Sequence, residues 1–435
     1  MPAVIKDNVL MYKGSNLFRQ RLLLSVLSGR AIKIEDIRSN HDDPGLKEYE
    51  VNLIRLIDKI TNGTRVELGE TGTSMYFQPG ILVGGQVTHS CCTQRGIGLK
   101  EYEVNLIRLI DKITNGTRVE LGETGTSMYF QPGILVGGQV THSCCTQRGI
   151  GYYLEVLLAV GPFCKEPLNA VLQGVTHHDL DVSVDKVKLA ALPVLLKFIL
   201  VDDGLELKVV RRGAPPLGGG EIVFRCPVRR SLRPLQWTKW GLVKRIRGVV
   251  YALRVSPTFA NRVVESAKGV MLNFLPDVYI NTDQCRGPNA GKSPGFGVSL
   301  VAETNEKTFY CAEAKSEEVG SGEISLPEEI GRQCALKLAD EIYRGGAVDS
   351  SFQWLLALWM ALGQKDVSEC VVGPLSDYTI SFLQHLKEFF GVMFKLEVLR
   401  SELDESDEED DKVEANKVKM TCVGIGYVNI SKRTL

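Results

Sequence analysis

The chain has 435 residues, with a formal net charge of -1, 24% charged and 44% hydrophobic residues. That balance excludes a disordered or fibrous chain and leaves ample apolar material for a large core. Its near-zero net charge says nothing of partners, so the placement of charge has to.

In chain order, the N-terminal residues Met1 to Gly14 lack an apolar run of signal-peptide length, and the longest apolar run, Trp354 to Leu362, is too short to span a bilayer. The 11 cysteines contain no CxxC pair, as expected of reduced thiols in the nucleus or cytosol. Asn16 to Leu27 has helical spacing and Ala31 to Ile37 alternates as a strand. Val51, Ile54, Ile57 and Ile60 predict a second helix that stops at Asn62-Gly63. Thr64 to Leu68 and Ser74 to Phe77 then predict a hairpin. Leu46 to Gly98 recurs residue for residue at Leu99 to Gly151, an offset of 53. Stacked repeats drift apart, so identical copies imply a recent duplication or an error in joining the sequence. One hairpin slot cannot hold both copies, so one hairpin is expected to be displaced or added at a sheet edge.

Downstream, Gly151 to Val160 and Ser183 to Phe198 read as helices. Leu168 to Gln173, Glu206 to Val210 and Glu221 to Cys226 read as strands. The segment 231–328 has a different character and reads as an insertion. Helices follow at Glu329 to Tyr343, Ser351 to Leu362 and Ile380 to Phe390. Glu402 to Glu414 carries nine acids and one Lys, and is expected to be a solvated, disordered loop flanked by Ser401 and containing Ser406. The alternation predicts an α/β (α+β) class, with a main domain over 1–230 and 329–435 and a small α/β domain over 231–328.

Between Lys208 and Arg254 stand twelve Lys or Arg against one acid, Glu221, with Trp237, Trp240 and Tyr251 interleaved. Such a stretch suits phosphates and stacked bases; the alternative is a set of unrelated solvated faces. Gly287 to Ser293 looks like a P-loop but has one residue too few, and Pro294 interrupts the helix that should follow. Lys292 is left as a candidate backbone-phosphate contact. His177-His178 reads as a surface loop, because adjacent side chains on an extended segment point apart.

Several motifs resemble one family. Gly14-Ser-Asn-Leu-Phe-Arg19-Gln-Arg21, Leu27-Ser-Gly-Arg30, Phe77-Gln-Pro-Gly80 and Arg211-Arg-Gly-Ala-Pro-Pro-Leu-Gly-Gly-Gly220 resemble RNA 3′-terminal phosphate cyclases. Arg148-Gly-Ile-Gly-Tyr-Tyr-Leu-Glu155, Lys292-Ser-Pro-Gly-Phe-Gly297, Val301-Ala-Glu-Thr304, Tyr343-Arg-Gly-Gly346 and Met420-Thr-Cys-Val-Gly-Ile-Gly426 resemble the eukaryotic cyclase-like branch. The resemblance implies repeated units of two helices on a four-stranded sheet, as in EPSP synthase, with a smaller domain inserted in the third unit. Family enzymes adenylylate a histidine in a His-x-x-Asp-Gln motif. The matching segment here is Asp349-Ser-Ser-Phe352-Gln353, so the nucleophile position holds Asp349 and no catalytic residue is expected. Tyr12-Lys-Gly-Ser-Asn16 also lacks the family's early carboxylate for a metal, so no metal or cofactor is expected. The cyclase-like branch implies a nucleolar role in the small-subunit processome, with pre-rRNA, small nucleolar RNP and an assembly GTPase as partners. The alternative is a pre-rRNA endonuclease or a residual cyclase. Arg19, Arg21 and Arg212 match positions near the family's phosphate cleft; with Arg245, Arg247 and Lys292 they form the expected anion- and RNA-binding set.

Overall fold

The computed structural model describes residues 137–429 except 145, 147, 201–203, 318–324 and 400–414. Before residue 137 it describes 4–6, 9–13, 17–28, 30–37, 46, 50, 54, 65–68, 73–78, 118–121 and 128–131. The acidic tract 402–414 and most of the helix expected from Val51 to Ile60 lie outside the described residues.

One strand topology recurs three times. Gly138–Ser143 runs parallel to Leu168–Gly174, which pairs antiparallel with Gly220–Cys226, which in turn pairs antiparallel with Glu206–Arg211. Val9–Lys13, Ile32–Glu35, Met75–Gln78 and Arg65–Leu68 repeat that order and those senses. So do Gln236–Trp237, Val367–Val372, Lys417–Val423 and Lys395–Leu399. The repeated units that the family resemblance implied are therefore present in the strand pairing.

Each parallel pair is joined by a helix across one face, as a parallel crossover requires. Those helices are Phe18–Ser28, Ile150–Val160 and Gln353–Leu362. Every residue of the last two is buried. A helix apolar on all sides has to be enclosed by protein, and here both join one core with Leu23, Leu24 and Phe198. Trp354 and Trp359 are its largest buried side chains.

The third unit is interrupted between Gln236–Trp237 and Gln353–Leu362 by a second sheet system. Its strands are ordered Val278–Cys285, Val243–Leu253, Gly295–Thr304 and Phe309–Lys315. Helices Pro257–Met271 and Pro327–Arg344 cover one face. Val263, Ala267, Cys334 and Leu338 meet Val250, Val298 and Leu300 in a separate core. The helix Pro327–Arg344 thus packs with the inserted strands, although it begins at the segment's expected C-terminal edge.

The duplicated hairpin takes an edge position. Met128–Gln131 pairs with Arg65–Leu68 and carries Arg118–Leu121 outside it, extending the N-terminal sheet to seven strands. Val66 pairs with Phe77 on one side and with Phe130, the copy of Phe77, on the other.

Candidate functional site

The main fold and the inserted sheet meet at the start of one helix. Ser183 caps it, its hydroxyl accepting from the Lys186 amide at 3.0 Å, and the helix continues over Val184–Lys186, Val187–Ala191 and Leu192–Ile199. Pro193 has no amide to donate, and the chain takes a π turn over Val187–Ala191 just before it. This first turn aims two adjacent charged residues at two buried networks.

Asp185 faces Arg212. Arg212 Nη1 and Nη2 donate to the two Asp185 carboxylate oxygens at 2.5 and 3.2 Å, and Nε donates to Asp283 at 2.6 Å. His177 Nε2 lies 3.0 Å from Asp185 Oδ2 but off the direction a hydrogen bond needs. The Tyr251 ring stands 4.3 Å from the His177 ring and 5.4 Å from the Arg212 guanidinium carbon. Burial opposes the charge of Asp185, but Arg212 and His177 outweigh it and hold the carboxyl well below the usual range. Arg212 is committed to two carboxylates, a placement that sequence counting did not anticipate. His177 is 4% exposed, so the surface-loop reading fails for it, while its neighbour His178 is half-buried.

Lys186 faces Asp349. Asp349 Oδ1 lies 3.4 Å from Lys186 Nζ and accepts from the Ser351 amide at 2.9 Å, while Oδ2 accepts from the Cys311 amide at 2.8 Å. Burial would lower the Lys186 ammonium; Asp349 and Glu313 reverse that and raise it. Ser350 donates to Glu341 at 2.6 Å, and burial followed by the Asp349 charge pushes the Glu341 carboxyl up. Asp349 is 1% exposed. Two amides and an ammonium occupy the carboxylate, which caps the short helix Ser350–Phe352. Phe352 is fully buried in the core. Gln353 donates to Pro374 O at 3.1 Å and accepts from the Ser376 amide at 3.2 Å. Asp349, Phe352 and Gln353 are thus all buried, with the polar groups of Asp349 and Gln353 hydrogen-bonded within the fold. A buried carboxylate held by two amides does not fit an adenylyl acceptor.

The remaining candidates are spread out. The Arg19 side chain lies outside the described residues. Arg21 is buried at the seam between the first and third units, its guanidinium carbon 4.5 Å from the Tyr12 ring, and Tyr12 donates to Glu388 at 2.6 Å. Lys292 is exposed beside the triple glycine: its amide donates to Gly218 O, and the Gly291 amide donates to Arg212 O. Gly219 has φ +83, and a Cβ there would stand 2.9 Å from Lys292 Cγ. Arg245 and Arg247 share one face of Val243–Leu253, paired with Glu303 at 2.6 Å and Asp277 at 2.8 Å. The basic stretch is therefore answered by acids remote in sequence, with Glu206 on Arg225 as a further case. Beside these networks a cleft of about 260 Å³ opens between the two parts, lined by His177, His178, Ser183, Glu313, Lys315 and Lys337.

A sequence model of the RNA 3′-terminal phosphate cyclase family matches residues 10–97 and 92–396. The chain belongs to that family. It is 51% identical to a "probable RNA 3′-terminal phosphate cyclase-like protein" of Drosophila melanogaster over 438 aligned residues, covering 100% of each chain. It is 48% identical to the human RNA 3′-terminal phosphate cyclase-like protein, covering 97% of each. At 37% identity, again over 97% of each, stands an rRNA processing protein of Schizosaccharomyces pombe. Asp185 and Lys186 are the charged residues of this region that the sequence did not single out, and His177 is the one it placed on the surface. The adjacent Asp-Lys after a helix-capping Ser was the available signal, but its partners are far along the chain.

Proposed function

We propose that the chain is a non-enzymatic assembly factor of the small-subunit processome. In this reading it works in the nucleolus, binds pre-rRNA and an assembly GTPase, and supports early pre-rRNA cleavage and small-subunit biogenesis. The observation that carries the non-enzymatic part is the state of Asp349: at the family's nucleophile position stands a buried carboxylate already bound by Lys186, Cys311 and Ser351. Family membership and the rRNA processing relative support the ribosomal part.

The RNA surface in this reading is the face of the inserted sheet opposite its helices, around the half-buried Arg245 and Arg247. Both arginines are ion-paired at the surface, where such pairs are weak, so an RNA phosphate competes with Glu303 and Asp277 at modest cost. Filter binding of a single-stranded pre-rRNA fragment across a salt series tests this. Arg245→Glu with Arg247→Glu is expected to lower affinity about tenfold or more and to flatten the salt slope by about one per lost phosphate contact. Unchanged affinity and slope would remove this surface from the proposal.

A further inference from the structure

The inserted sheet is closed on one side and half closed on the other. Its helices pack on the side that carries Ile246, Val250, Val298 and Leu300. On the opposite side, Val301 and Cys311 of the strands Gly295–Thr304 and Phe309–Lys315 join the core of the main fold. The strands Val243–Leu253 and Val278–Cys285 complete that second side, and their register sets Arg247 beside Tyr279 and Val249 beside Asn281. Directly paired positions share a face, so these four residues stand on the side away from the helices.

Tyr279 is 58% exposed, although it lies within a strand and not in a loop. Among the described residues no ring or cation stacks on it. The one long neighbour that could cover its ring is turned aside: Arg247 Nη1 and Nη2 donate to the two Asp277 carboxylate oxygens at 2.8 and 3.0 Å. Val249 and Asn281 are too short to cover it. Asp277 precedes Tyr279 by two residues, about 7 Å along an extended chain. A guanidinium and a bare aromatic ring therefore stand side by side on an open surface. Single-stranded RNA offers a matching pair of groups, a base whose flat face can stack on the ring and a phosphate for the cation. A base inside a duplex has both faces occupied by its neighbours and cannot use the ring.

We infer that Tyr279 is a stacking platform for an unpaired base of RNA, with Arg247 meeting the adjacent phosphate. The inference rests on the reading that the face around Arg245 and Arg247 binds RNA, and it adds that the RNA bound there is single-stranded. Filter binding of the full chain to oligouridine, and to an abasic ribose-phosphate oligomer of the same length, tests it across a salt series. Tyr279→Ala is expected to weaken oligouridine binding about fivefold or more, because one stacked base is lost. The salt slope is expected to stay as in wild type, because no phosphate contact is removed. Binding of the abasic oligomer is expected not to change. Tyr279→Leu keeps an apolar side chain in the strand but has no flat face, and is expected to lose as much as Tyr279→Ala; Tyr279→Phe is expected to bind as wild type does. Oligouridine affinity that survives Tyr279→Ala, while Arg245→Glu with Arg247→Glu lowers it, overturns the stacking and leaves the RNA face standing. An equal loss on both oligomers overturns the stacking as well, since Tyr279 then acts without a base. A wild-type chain that binds neither oligomer overturns both the stacking and the reading of this face.

Discussion

Asp349→Ala is expected to lower the unfolding free energy by about 3–5 kcal/mol, because it removes the ion-paired partner of the buried Lys186 ammonium and leaves only the weaker support of Glu313 and Glu341. The same change orphans the Cys311 amide and uncaps the Ser350–Phe352 turn. Urea denaturation of the full chain measures the effect. Asp349→Asn keeps the shape and one amide acceptor, so it is expected to fall between wild type and alanine. Lys186→Met combined with Asp349→Leu removes both charges and is expected to cost less than the two single changes added together. If Asp349 were a solvent-facing functional group, alanine would cost well under 1 kcal/mol, as surface changes usually do.

Arg212→Ala is expected to destabilise by a similar amount, about 3–5 kcal/mol, since Asp185 then holds a buried charge with only His177 beside it. The effect has a pH signature. The Asp185 carboxyl is depressed in the folded chain, so its stabilising contribution is fully present above the unfolded carboxylate range and is lost progressively as pH falls from that range toward the lower folded value. Without Arg212 the largest cause of that depression is lost. The stability gap between wild type and Arg212→Ala should therefore narrow as pH drops from about 6 toward 3. A gap that stays constant over that range would mean that Arg212 acts through packing on Tyr251 and not through Asp185.

Much of the fold was legible because periodicity is local. The all-apolar run at Trp354–Leu362 and the alternation at Leu168–Gly174 each report their own burial, and both elements stand within a residue or two of where the sequence puts them. Gln236–Trp237 was not legible: two residues carry no period, yet they form the first strand of the third unit. Asn62-Gly63 and the strand pattern after it gave the duplicated hairpin, and the expectation of an edge addition follows from one slot and two copies.

The site was less legible because its chemistry is assembled from remote segments. Arg212 reads as a free cation in a basic stretch; Asp185 and Asp283, which neutralise it, lie outside the window in which charges were counted. Arg245 and Arg247 are matched by Glu303 across the sheet and by Asp277 at the start of the neighbouring strand. A window along the chain misses cross-strand acids, because strands adjacent in space are separated by whole helices in sequence. Asp349 gave the opposite outcome. The motif pointed to the position, and the fold then gave the carboxylate a partner, Lys186, that no spacing rule connects to it.

With the buried Asp349 at the position that resembles the family's nucleophile, the proposed reading expects no adenylylated enzyme. Incubating the pure full chain with ATP labelled in the α-phosphate and a divalent cation, then resolving the protein under denaturing conditions, tests it most directly. No label is expected on the protein at any pH at which it stays folded. A labelled band that is lost in Asp349→Asn would contradict it.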